Sequence, residues 1–358
     1  MGLIITILIF GFIILIHEWG HFIVARKSGV FVEEFAIGMG TKLWSTEKNG
    51  TIYSIRLFPL GGYCKMKDED TAGSDPDSFS NATMPKKFAI IFAGAFMNFV
   101  LALVIFIGIT FFSAVATTTV REVTENSPAQ EAGIQAGDII YKVNGKRVRS
   151  FEDLSFKISG INSTNKSSEK IDIILKRNGE LLSFSLTPKY DESLQRNLIG
   201  ISPVLKNGLF SKDVEGVEKN TFFGTIRDGY FNMIFTIKVT IIGVIELITG
   251  GIGLEQMMGP IGITPVIDSQ YESAMKVSVG ATILTMLNIM ALLSANIGVF
   301  NLLPIPALDG GRIVFLAIEA IRGKPIPPEK EGMVHFVGFV LLMGFGIFIA
   351  FKDVISLI

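Results

Sequence analysis

The sequence predicts a polytopic α-helical membrane protein with four spans, a re-entrant β-hairpin element and an inserted α+β module. Three observations lead there. Of 358 residues, 49% are hydrophobic and 18% charged, against about 25% charged in soluble domains. Four long runs are almost free of charge. Basic residues cluster at one set of their ends.

Span one covers residues 1–24. Residues 2–16 carry no charge, and about 20 mostly apolar residues cross a bilayer core as a helix. Arg26 and Lys27 follow the run and no basic residue precedes it, so it reads as a retained span and not a signal peptide. Residues 25–87 form a loop. Within it, "TKLWSTEKNGTIYSIRLFPLGGYCKM" alternates around Asn49-Gly50, a strong hairpin signal. The apolar "LFPLGGY" points to membrane depth, where irregular backbone is tolerated only if protein or a cavity covers it; an ordinary cytoplasmic hairpin is the plainer reading. Residues 67–83 are polar and acidic and are expected to be a flexible linker.

Span two covers 88–116, without a charge. The next run, 277–308, is uncharged over 32 positions. As straight helix it would measure about 48 Å, more than a core of about 30 Å. It must break, and "NLLPIPALDGG" supplies two prolines and two glycines to break it. Span three is therefore a broken element over 277–321. Span four covers 333–352.

Arg26, Lys27, Lys86, Lys87, Arg322, Lys324 and Lys330 fall on one side of a four-span chain. The positive-inside rule makes that side cytoplasmic, with both termini and residues 117–276 outside. A cytoplasmic membrane is the expected location and the lipid bilayer a partner. A net charge of −1 gives no reason to expect nucleic acid. The single cysteine, Cys64, excludes an intrachain disulfide and reads as a small hydrophobe.

The outer region begins with a module over 117–204. Its β-rich runs are punctuated by Asn144-Gly145 and Asn178-Gly179, with a helix expected at about 151–160. The pattern SPAxxAGIxxGDxIxxVNG resembles a bacterial PDZ domain, with "NLIGISP" (197–203) as its carboxylate-loop strand. Such domains capture extended peptides along a sheet edge, so a peptide ligand in this groove and plain steric gating are both open. Residues 205–276 follow, including the apolar stretch 230–250, which Lys238 and Glu246 interrupt. A fifth span and a helix lying in the interface are both open for it.

The stretch "LIHEWGHFIV" (15–24) carries the chemistry. His17 and His21 stand at i and i+4 and share a helix face. Two imidazoles so placed can hold one zinc ion, with Glu18 as base. Ionisable groups at membrane depth cost a few kcal/mol each and mark functional sites. A catalytic zinc needs a third protein ligand. His335 and Glu319 are weaker choices, and Asp309, in the broken segment, is the better one. Asp309 can equally cap the following helix, or do both.

Together, HEWGH in a first span, a later NLLPIPALDGG and a PDZ-like insert resemble the site-2 protease family. The single-PDZ, four-span layout resembles bacterial RseP-type regulated intramembrane zinc metalloproteases. The resemblance implies one Zn2+ per chain on His17, His21 and Asp309, with Glu18 as catalytic base. It implies substrate contacts from Asn301 and, less directly, Asn296. Gly61, Gly62 and Tyr63 resemble the family's membrane-embedded loop. It also implies single-span substrates already trimmed by a first protease. The best-known Gram-negative members carry two PDZ modules, and this chain has room for one.

Geometry bears on topology. If 230–250 spanned, Asp309 would emerge at the outer face, away from the histidines, so the interfacial reading is preferred. A substrate helix must unwind before attack, and a strand edge in the 52–63 region is expected to pair with it. The other readings are a different HExxH membrane protease with a glutamate ligand, a non-enzymatic metal carrier, and a PDZ scaffold.

Overall fold

The computed structural model describes residues 1–356 apart from 70, 72, 160–168, 195, 212 and 215. Two positions of the expected linker, 70 and 72, and the last of the expected module helix, 160, lie outside the described residues. The chain divides into two compact units, Met1–Ile105 with Glu255–Ile358, and Phe106–Leu254.

The first unit opens with α1 (Gly2–Lys27), β1 (Val32–Lys48), β2 (Thr51–Met66) and α2 (Met84–Phe112), whose end enters the second unit. The second unit's elements come next. Those are β3 (Val115–Val123), α3 (Pro128–Glu131), β4 (Ile139–Val143), β5 (Lys146–Arg147), α4 (Phe151–Ser159), β6 (Ile171–Arg177), β7 (Glu180–Leu186), β8 (Lys189–Asp191), β9 (Arg196–Leu198), β10 (Ile201–Lys206) and α5 (Phe222–Thr249). The first unit then ends with α6 (Ile263–Val277), α7 (Val279–Asn301), α8 (Asp309–Arg322) and α9 (Pro328–Ser356).

Five helices among the described residues, α1, α2, α5, α7 and α9, are long and apolar enough to cross a membrane. That is one more than the sequence reading counted, because 230–250 belongs to the 28-residue α5. The expected break in span three is present: α7 stops at Asn301 and α8 starts at Asp309. A glycine is required in this break. A Cβ on Gly310 would lie 2.1 Å from the Leu303 carbonyl oxygen, and one on Gly311 2.5 Å from that of Ile305. The short helix α6 was not foreseen. Its Asp268 accepts from the Gly2 N–H at 2.7 Å, satisfying one of the free amides that begin α1.

Asn49 and Gly50 have φ of 53° and 77°, as a two-residue hairpin turn requires. The sheet is more than a hairpin. Residues 34–37 pair on one flank with 52–55 and on the other with 62–65. The run 52–55 also pairs with 44–47, so it is an inner strand. The expectation of an exposed edge across 52–63 is corrected accordingly: the edge is 62–66, because β1 sends both its arms against 52–55. The linker is also more ordered than expected. Lys67 reaches Asp75 at 2.7 Å and Asp77 at 2.9 Å, and Phe79 is buried among residues of α1, β1, β2 and α2. One buried phenylalanine and these ion pairs give the acidic segment something to fold against.

In the second unit the strand order is β10-β3-β4-β6-β7, with β5 paired to β4. Both Asn-Gly pairs sit at turns with positive φ, and Val120, Ile140, Leu154, Ile173 and Leu175 fill the core. Within this unit α4 docks on α5: Lys238 bonds Asp153 at 2.7 Å, and the Phe156 and Phe235 rings lie 5.9 Å apart. The carboxylate of Asp138, 1% exposed, accepts from Arg177 through both oxygens at 2.7 Å and from the Gln135 amide. Burial alone would raise this carboxyl, but Arg177 and the amide outweigh it and hold it below its ordinary value. A lowered carboxyl stabilises the fold above its unfolded pKa of about 3.9, and that support is lost as pH falls through the folded value. Arg177→Ala, which strands a buried carboxylate, is expected to cost about 2 kcal/mol. Thermal unfolding of the full chain in detergent, followed at neutral pH, measures it.

Candidate metal centre

The metal candidates come from two helices that are distant in sequence. On α1, the i, i+4 spacing sets the His17 and His21 rings edge to face, 4.8 Å apart. Their Nε2 atoms are 3.2 Å from each other. The Asp309 Oδ2 lies 3.3 Å from His17 Nε2 and 3.5 Å from His21 Nε2. Asp309 is the first residue of α8, and the cap position is Leu308, with no side-chain cap. The carboxylate is therefore free of the capping role that the sequence left open, and points at the histidines.

These distances can be tested against zinc. With bonds of about 2.0–2.1 Å in a tetrahedron, ligand atoms stand about 3.3 Å apart. The three observed edges bracket that figure. Asp309 Oδ2 is buried and makes no hydrogen bond, an expense that a cation removes. The His21 Nδ1 lies 2.8 Å from the Ile90 carbonyl oxygen. It must donate there, which leaves the Nε2 lone pair for a metal. The donor set fits zinc.

Two neighbours on α2 were missed by sequence reasoning. Asn98 is fully buried, with its amide 3.4 Å from His17 Nδ1. Turned over, that amide offers Oδ1 to the Nδ1–H and sets the tautomer of His17 as Ile90 sets that of His21. Gly94 faces the rings: a Cβ there would lie 2.3 Å from His21 Nε2 and 2.7 Å from His17 Cε1. The signal was present in "GAFMN", a glycine and an amide in a charge-free span, but nothing in it named a partner.

His17, Glu18, His21, Asp309, Asn301, Gly61, Gly62 and Tyr63 line one cavity of about 640 Å³. Asn301 places its amide 3.4 Å from His17 Nδ1. Asn296, five residues earlier on α7, is not part of this lining. Gly62 lets the β2 edge reach α1. A Cβ there would meet the Ala36 carbonyl oxygen at 2.8 Å, and Glu18 Cγ at 3.5 Å lies just beyond. The Tyr63 hydroxyl turns away to donate to Glu34 at 2.8 Å. Glu34 also accepts from Ser54 and Arg56. Burial would raise the Glu34 carboxyl, but these three donors pull it down to about 2, which keeps the sheet's charged clasp ionised at any ordinary pH.

His335 is not a ligand in this arrangement. It sits on α9 and accepts from the Ala307 backbone amide. Glu319 also lies elsewhere, its Oε1 accepting from the Ile326 N–H at 2.6 Å.

The family model described as Peptidase family M50 matches residues 5–345. A protein of Clostridium acetobutylicum is 37% identical over 99% of this chain and 97% of its own length. Zinc metalloprotease RasP of Shouchella clausii is 33% identical over 98% of each chain. Among solved structures, the PDZ domain of the SdrC-like protein of Listeria monocytogenes covers 26% of this chain and 90% of its own, at 20% identity and a TM-score of 0.21.

Proposed function

This chain belongs to peptidase family M50, and from that premise we propose that it is a zinc endopeptidase cutting peptide bonds within or beside the transmembrane segment of single-span membrane proteins. The observation that carries the reading is the triangle of His17 Nε2, His21 Nε2 and Asp309 Oδ2 beside Glu18 in one cavity. Zinc held by these three residues supplies Lewis-acid polarisation of the scissile carbonyl and of water. Glu18 takes the proton of the attacking water and hands it to the leaving amine. The Ile90 carbonyl and Asn98 keep the two imidazoles turned toward the site.

The substrate must lose its helical hydrogen bonds before attack. The β2 edge at 62–66 is the element that replaces them, by adding the unwound segment as a strand. Asn301 holds the segment from the α7 side. The end of the sheet away from the Asn49-Gly50 turn supports membrane depth: Met39, Leu43, Trp44, Leu57 and Phe58 are all exposed, as suits a surface that meets lipid and not water.

Contacts within the first unit support the sidedness of this reading. The start of α1 is tied to Asp268 of α6, just before α7, and the far half of α1 meets the end of α7 at His17 and Asn301. The two helices therefore run parallel. Parallel spans need an even number of crossings to separate their starts, and α2 together with an interfacial α5 satisfies this as one return to the outer side. The Lys238–Asp153 bond at mid-helix also suits an α5 that lies against the module. Four crossings then put the flanking basic residues and the active site near the cytoplasmic face. The termini and the 117–204 module lie outside. The module admits substrates whose ectodomain a first protease has trimmed.

The test is cleavage of a single-span substrate with a short ectodomain by the purified chain in detergent. Cutting within the span, lost on chelation and restored by zinc, is the expected result. Asp309→Ala should abolish zinc retention and cleavage while Glu319→Ala leaves zinc in place. The reverse pattern would assign the third ligand to Glu319 and sink this site.

A further inference from the structure

Ala307 has φ of 76°, the left-handed region that a residue with a Cβ adopts at a cost. It stands two residues before Asp309, inside the break between α7 and α8. Something must hold it there, and α9 does so with two residues one turn apart. Gly338 lies against Pro306, where a Cβ would come within 2.4 Å of the proline Cβ and 2.7 Å of its carbonyl oxygen. His335, three residues earlier and so on the same helix face, accepts the Ala307 backbone N–H on Nδ1 at 2.9 Å. Its ring is further fixed by Phe315 of α8, 5.3 Å away between centroids.

The tautomer follows from the donor. An amide N–H can only donate, so Nδ1 carries the lone pair and the imidazole proton is on Nε2. Nε2 is buried and faces the Glu331 carboxylate at 3.7 Å, which favours that tautomer. Beyond Ala307 the chain turns immediately into α8, with Leu308 donating to the Ile305 carbonyl at 3.2 Å and Gly311 to that of Leu308 at 3.0 Å. The direction of the Asp309 carboxylate is thus set by two residues of backbone, one of which is strained.

We infer that His335 is a positioning residue for the metal centre: its bond to the Ala307 amide holds the strained turn that aims Asp309 at His17 and His21. The inference rests on Asp309 being a zinc ligand, and it adds a residue of α9 to the parts that make the site. His335 acts through the backbone and touches neither metal nor substrate.

The experiment is zinc release from the full-length protein in detergent, followed with a chromogenic chelator, beside cleavage kinetics. His335→Leu removes the acceptor at similar size. Zinc release is expected to quicken about 10-fold, and kcat to fall more than KM changes. His335→Asn, whose Oδ1 can take the place of Nδ1, should restore most of the retention. Ala307→Gly in the His335→Leu background should restore part of it, because glycine adopts this φ without strain. That rescue is what a packing role for His335 cannot produce. Release from His335→Leu at the wild-type rate overturns the inference, and so does a double variant no better than His335→Leu alone. Wild type that binds no zinc would instead bring down the metal-site reading on which it stands.

Discussion

Glu18→Gln is expected to keep its zinc and to cut a single-span substrate about 10²–10⁴-fold more slowly than wild type. The size follows from the role. Glu18 lines the cavity of His17, His21 and Asp309 but is not one of the three converging ligands, so an isosteric amide leaves the metal's donors intact. What it removes is the carboxylate proposed to accept the water proton and return it to the leaving nitrogen. Zinc content and single-turnover cleavage, measured on the same preparation, decide it. Loss of zinc together with activity would make Glu18 a ligand. Unchanged cleavage would remove the proton-transfer role and favour a carrier of metal over a protease.

Gly94→Ala is expected to abolish zinc binding although no ligand is altered. The added methyl carbon would sit 2.3 Å from His21 Nε2 and 2.6 Å from its Cε1, closer than any unbonded carbon approaches nitrogen. Either the imidazole turns, breaking its 2.8 Å contact with the Ile90 carbonyl, or α2 moves off α1. The second route gives up the closest packing of the two helices, at Gly20, where a Cβ would lie 2.4 Å from the Ala93 carbonyl oxygen. The ring therefore gives way, and with it the lone pair aimed at the metal. Zinc stoichiometry after dialysis measures the effect. Full occupancy in a folded Gly94→Ala protein would mean that the rings have room the structure does not give them.

Much of the chemistry was legible from residues 15–24, since i, i+4 spacing on a helix places two side chains on one face whatever surrounds them. The hairpin at Asn49-Gly50 and the turns at Asn144 and Asn178 were equally local, because positive φ at an Asn-Gly pair is a property of those residues. Asp309 was half legible. Its place in a broken apolar run marked it, but ligand and helix cap were both open until α8 began at Asp309 itself and left the carboxylate uncapping. The helix count differed for a related reason. Length and apolarity admit α5 as a span, and composition has no term for the parallel run of α1 and α7.

The i, i+4 pair His17 and His21, Glu18 beside it, the break at "NLLPIPALDGG" and the Asn-Gly turns were thus decided by local sequence, where spacing and backbone preference act over a few residues. Tertiary structure alone decided which edge of the sheet faces Glu18, that Gly94 and Asn98 of α2 close over the histidines, and that His335 grips Ala307 from α9. Those are contacts across tens to hundreds of residues, and glycines make room for them: those at 20, 62 and 338 let backbones approach, and Gly94 leaves space for the two imidazoles, where any side chain would collide.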